Sequence, residues 1–155
     1  MATTLKDRIQ TDLTEAMRAK DTTTVATLRL VLTAITKQET AGDTHAELDD
    51  DAIVTVIGSE VKRRVEAAAT YEQAGRTDRA ATERAEQAVL ERYLPAALSD
   101  DELAAVVAEE VATAKAAGHE GKAATGVVIK AVRARAGAGT DGTRIAAAVQ
   151  AALAG

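Results

Sequence analysis

Cysteine is absent from this 155-residue chain. That excludes disulfides, thiolate metal sites and a cysteine nucleophile. Phe and Trp are absent as well, and Tyr71 and Tyr93 are the only aromatic side chains. Any core must therefore be assembled from Ala, Val, Leu and Ile, each of which buries less area than an aromatic ring. Pro95 is the single proline, so it is the one position where ring geometry forces a helix to stop. No apolar run approaches the roughly 20 residues that cross a bilayer. No secretory leader pattern opens the sequence, which predicts a cytoplasmic protein.

Alanine, the best helix former, makes up roughly a quarter of the residues. Apolar positions recur with helical period nearly everywhere, and strand-like alternation is missing. The spacing predicts an all-α protein with a first helix over about Thr3 to Lys20, its stripe being Leu5, Ile9, Leu13 and Met17. A second runs from an Asp21 cap to about Thr40, with Val25, Leu28, Leu32 and Ile35 on one side. Gly42 to Leu48 is polar and predicts a loop. A long third helix follows Asp49, with Val54, Ile57, Val61, Val65 and Ala68 as its buried stripe and Glu60–Arg64 as a surface pair worth a few tenths of a kcal/mol. Gly75 fits a left-handed cap, and a fourth helix spans about Thr77 to Tyr93. Ser99-Asp100-Asp101-Glu102 forms a capping box that opens a fifth helix ending at Gly118. A sixth runs from about Gly121 to Ala136 and a seventh from about Asp141 to Ala154. The break at Leu94–Ser99 predicts an N-terminal four-helix part over residues 1–95 and a C-terminal three-helix module over residues 99–155.

The net charge of −5 argues against general nucleic-acid affinity, but its distribution is uneven. Residues 1–99 carry 13 bases and 17 acids, net −4, and residues 100–114 carry five acids and no base. Residues 115–155 carry six bases against Glu120 and Asp141, net +4. Lys62-Arg63-Arg64 points in different directions on a helix and is not one patch. The sixth helix is better organised, because Gly126, Lys130, Arg133 and Gly137 fall at i, i+4, i+7 and i+11 on one face. Glycine lets another backbone come close, either a neighbouring helix of the bundle or a nucleic-acid strand, and the two cations suit phosphate oxygens. Asp141-Gly142 opens the last helix, with Asp141 as its cap and Arg144 in its first turn. Lys122 completes the basic set.

Signatures of chemistry are missing. Neither GxxxxGK[ST] nor GxGxxG occurs, His45 and His119 lack a set of neighbouring ligands, and no nucleophile–base pair is indicated. The sequence predicts neither a metal site nor a cofactor.

Tyr71-Glu72-Gln73-Ala74-Gly75-Arg76-Thr77-Asp78, continuing through Glu83, Glu86 and Leu90 into Tyr93-Leu94-Pro95, Leu98-Ser99 and Glu102-Leu103, resembles the GatB/YqeY family. So do Leu28-Arg29-Leu30 and Ala34-Ile35 near the start, and Gly126 and Asp141-Gly142 in the tail. The resemblance implies a helical N-terminal part followed by a three-helix module similar to the tail of the GatB subunit of tRNA-dependent amidotransferases. Those enzymes convert misacylated Glu-tRNA(Gln) or Asp-tRNA(Asn) to the amide form with glutamine as nitrogen donor. Their tail helps engage the tRNA, while the reacting sites lie elsewhere. Two positions depart from the tail pattern: Val127 stands where a Lys typically follows the glycine, and Gly139 where an Arg often precedes Asp-Gly.

These observations predict a non-catalytic accessory protein, free of membrane and metal, whose partner is tRNA or a tRNA-processing complex. The predicted contacts are Lys122, Gly126, Lys130, Arg133, Asp141, Gly142 and Arg144. Lacking aromatics, such a surface would engage phosphates and backbone shape rather than stack on bases. Two other functions fit the same sequence: an adaptor docking proteins through the N-terminal helices, and a component of an active glutamine-dependent carbon–nitrogen ligase.

Overall fold

A computed structural model describes residues 3–155. Among them are seven helices and no strand: α1 (Leu5–Ala19), α2 (Thr22–Glu39), α3 (Asp50–Gln73), α4 (Thr77–Glu91), α5 (Asp100–Ala116), α6 (Gly121–Ala136) and α7 (Gly142–Ala154). The chain divides into two compact units, one ending at Leu94 and the other running Pro95–Gly155. Among the described residues no helix is long and apolar enough to cross a membrane.

Helix starts follow local chemistry. Thr4 caps α1 and Ser99 caps α5, each in a reciprocal box with the acid three residues on, Asp7 and Glu102. These boxes satisfy two orphan N–H donors per helix. Asp21 and Asp49 accept from the backbone N–H groups of Thr24 and Ala52. The α3 and α4 pair is joined at Gly75, whose φ of +73° is the left-handed conformation that favours glycine.

The first unit is built on Ile9, Leu28, Ile35, Ile53, Ile57 and Leu90, all fully buried. Tyr93, 7% exposed, closes this core. Its hydroxyl donates to Asp12 Oδ2 at 2.5 Å, and the Arg8 guanidinium lies 5.0 Å from the ring centroid, within cation–π range. Burial, and then the Asp12 carboxylate, push the Tyr93 hydroxyl well above the ordinary tyrosine range. Glu39 ends α2 and is only 2% exposed. Lys6 donates to its two oxygens at 3.0 and 2.8 Å, and the Leu48 N–H donates at 3.2 Å. The Lys6 hydrogen bond, followed by that from Leu48, holds the Glu39 carboxyl below its usual range. One buried acid thus fastens α1 and the segment between α2 and α3 to the end of α2.

Three expectations about faces are corrected. Met17 is 51% exposed and Ala16 takes the buried place on α1. On α3, Val65 is 46% exposed while Arg64 is 8% exposed. Arg64 bonds Glu60 and, through Nε, Glu86 of α4 at 3.3 Å. The Glu60–Arg64 pair is therefore the half of a packed three-residue cluster that lies on one helix, not a surface pair. Periodicity locates a helix face to within one position; here the bundle turned that position by one residue, and a guanidinium with two carboxylates filled it.

The second unit packs α5, α6 and α7 around Leu103, Val107, Val128, Val132, Ile145 and Val149. Its entry segment is fastened by polar contacts to the α6–α7 connection. The Leu98 N–H donates to Thr140 Oγ1 at 3.0 Å, and Arg144 Nη2 donates to the Leu98 carbonyl at 3.1 Å and to Asp100 Oδ1 at 2.8 Å.

Candidate nucleic-acid interface

The basic residues of the tail divide by what they touch. Arg135 pairs with Glu109 at 2.7 Å and Glu110 at 3.2 Å across from α5. Those two acids, Glu109 first, push its already high pKa further up. Arg144 is half-buried and committed to Leu98 and Asp100. It ties α7 to the start of α5. The local excess of positive charge is in this way partly neutralised within the unit. Lys122, Lys130 and Arg133 remain exposed and make no ion pair among the described residues.

Helix α6 presents these three on its outer side. Val128 and Val132 point into the core with no exposure, which fixes the register and turns Lys130 and Arg133 outward. Gly126 is exposed between them and Lys122, and a Cβ built on it would meet nothing within 4 Å. Helix packing within the bundle therefore does not require glycine at this position. Val127, where the family pattern has Lys, is 41% exposed.

Arg133 reaches across to the start of α7. A Cβ added at Gly142 would lie 3.0 Å from Arg133 Nη2, so glycine makes room for the guanidinium there. Asp141 caps this helix by accepting from the Thr143 N–H at 2.8 Å, and its carboxylate is turned to the backbone. The structure thus gathers Arg133, Asp141 and Gly142 at one helix start and sets Lys122, Gly126 and Lys130 along α6. It places Arg144 apart from them in a latch.

Sequence reasoning missed why Gly139 is glycine. A Cβ there would overlap the Pro95 carbonyl oxygen and lie 2.8 Å from the Pro95 carbonyl carbon. The connection before α7 runs against the backbone that enters the unit, and no larger residue fits. The departure from the tail pattern at this position is sterically required. A short Gly-Ala-Gly connection facing the chain's only proline was the available signal, but the pairing is long-range and no local rule reveals it. Among the described residues no group of three His, Asp or Glu side chains is placed to hold a metal ion.

A family model described as Yqey-like protein matches residues 6–153. A protein of Clavispora lusitaniae named altered inheritance of mitochondria protein 41, mitochondrial, is 33% identical over 102 residues, covering 64% of this chain and 58% of that relative. The chain thus spans less than two thirds of the relative's length.

Proposed function

The chain belongs to the YqeY-like family, and from that premise we propose that it is a non-catalytic accessory protein related to the amidotransferase tail that binds folded tRNA through α6 and the start of α7. The carrying observation is the exposed, unpaired trio Lys122, Lys130 and Arg133 beside a glycine that packing does not require. Lys130 and Arg133 stand about one helical turn apart and Lys122 about two turns before Lys130, a row of cations along one helix face that suits phosphates better than bases. The bare backbone at Gly126 lets a sugar–phosphate strand approach. Lys122, Gly126, Lys130, Arg133 and Gly142 form the contact, while Asp141 caps the start of α7 beside them and Arg144 ties α7 to the start of α5. In this proposal the protein works in the cytoplasm, where tRNA is aminoacylated. The relative of mitochondrial name makes a second tRNA-containing compartment the alternative.

Filter binding of folded tRNA at several salt concentrations tests this. The log–log salt slope falls by about 0.7–0.9 for each phosphate contact removed. Lys130→Ala with Arg133→Ala is expected to lower the slope by about 1.4–1.8 on that basis. Gly126→Ala is expected to weaken binding without loss of folding. Binding that is insensitive to salt, or untouched by the double substitution, refutes the proposal.

A further inference from the structure

The outer face of α2 is poorer in charge than α1 or α4. Helices α1 and α4 each carry six charged residues in 15, whereas α2 carries three in 18, and one of these, Glu39, is buried. From Thr22 to Gln38 there is no acid at all. The only charges on that stretch are Arg29 and Lys37, both exposed and in no ion pair among the described residues. They stand at i and i+8 on one face.

Between and beside them stand uncharged residues, the exposed Thr33 and Thr36 and two exposed apolar side chains. Leu30 is 52% exposed, and Met17 of α1 is 51% exposed with its sulfur 3.9 Å from Arg29 Nη2. The Thr33 hydroxyl donates to the Arg29 carbonyl at 2.9 Å, so its hydrogen-bonding need is met within the helix. Leu32, Thr33, Thr36 and Lys37 line a shallow depression of ≈ 470 Å³.

We propose that this face docks an amphipathic helix of a partner protein whose apolar stripe is flanked by acidic side chains. Charge complementarity selects the sign: residues 1–99 carry a net −4, yet this face carries two unpaired cations and no acid. Like-charge repulsion from the acidic unit as a whole disfavours an acidic partner, and the α2 face, which carries no acid between Thr22 and Gln38, is where that repulsion is least. The exposed Leu30 and Met17 select the form, a helix laid along a helix with leucine-type anchors at i, i+3, i+4 and i+7. RNA fits poorly. Two cations about 12 Å apart along the helix axis, with no aromatic side chain between them, would hold a strand weakly and leave the apolar residues without a role. This inference uses none of the residues assigned to tRNA, so either can fail alone.

The test is an NMR titration of the full chain with two synthetic amphipathic peptides sharing a leucine stripe, one flanked by glutamates and the other by lysines. The glutamate peptide is expected to shift amides of α2 and the end of α1. Arg29→Glu with Lys37→Glu should weaken it by about tenfold and restore binding to the lysine peptide. Leu30→Gln should weaken both pairings. The thermal melt of each variant is expected to stay within several degrees of the parent, the main costs being the contact of Arg29 with Met17 and the favourable charge of Lys37 in the last turn of α2. Absence of shifts on α2, shifts confined to other helices, or equal binding of both peptides to the parent chain would overturn the proposal.

Discussion

Replacing Gly139 by Ala places one methyl group where the structure has no space. The new Cβ would overlap the Pro95 carbonyl oxygen and come within 3.1 Å of the Ala96 oxygen. Both are backbone atoms, so no side-chain rotation relieves the contact and the entry segment must retreat by on the order of 1 Å. Forced overpacking of this kind costs about 1–3 kcal/mol. The retreat also pulls the Leu98 N–H from Thr140 Oγ1, now 3.0 Å away, at about 1 kcal/mol. The expected loss is about 2–4 kcal/mol. A unit of this size has a total stability of about 3–9 kcal/mol, at 0.05–0.15 per residue, so the loss is a large share. It corresponds to a fall in melting temperature of about 8 °C or more for that unit. Hydrogen exchange of the Val107, Val128 and Val149 amides should accelerate by about 30- to 1,000-fold if they exchange through opening of the unit. Gly126→Ala is the control of opposite sign. It lies in open space inside a helix, so it should stabilise by about 0.5–1 kcal/mol. A Gly139→Ala protein that melts with the parent, or a Gly126→Ala protein that melts below it, would refute the steric assignment of the two glycines.

Three further outcomes follow from the first unit. Glu39 has a folded pKa below its unfolded value near 4.5, so it contributes stability above that pH which is lost as pH falls through the folded value. An acid titration followed by circular dichroism should therefore show a shallower loss in Glu39→Gln, which is also less stable at neutral pH. Tyr93 is shifted the other way, above 10.0, so its contribution is complete below pH 10 and is lost as pH rises through the folded value. Tyr93→Phe should remove that alkaline sensitivity and cost about 1.5–3 kcal/mol at pH 7 for the bond to a charged group, read by urea denaturation. Arg64→Met removes the cation that joins Glu60 to Glu86, leaving Glu86 without an ion pair among the described residues and Glu60 with the exposed Arg63 alone, at 3.2 Å. The cluster is packed but not dry, so a loss of about 2 kcal/mol is expected, between the exposed and fully buried cases, and raising salt should reduce it.

What was legible in the sequence was what short-range rules govern. The caps at Ser99 and Asp49, the left-handed Gly75 and the stop before Pro95 each depend on a few neighbouring residues, and each can be read from them. Faces were legible only to within one position. Met17 and Val65 were assigned inward because they continue an apolar series, yet Ala16 and Arg64 are the residues enclosed. Alanine and arginine were overlooked for different reasons. Alanine carries almost no face signal, and the burial of Arg64 depends on Glu86, which is 22 residues away.

The candidate site divides along the same line. Lys130 and Arg133 lie on the outer side of α6 because Val128 and Val132 face inward, and helical spacing contains that fact. Arg144 shares the composition of those residues but not their freedom, since Leu98 and Asp100 hold it. Counting charges along the tail assigns all of them one role, whereas the packed unit divides them between holding the bundle and facing solvent. The two glycines divide in the same way. Gly139 is fixed by the backbone of Pro95, and a substitution there acts on folding. Gly126 is fixed by nothing within the unit, so a substitution that harms function at that position must act through a bound partner.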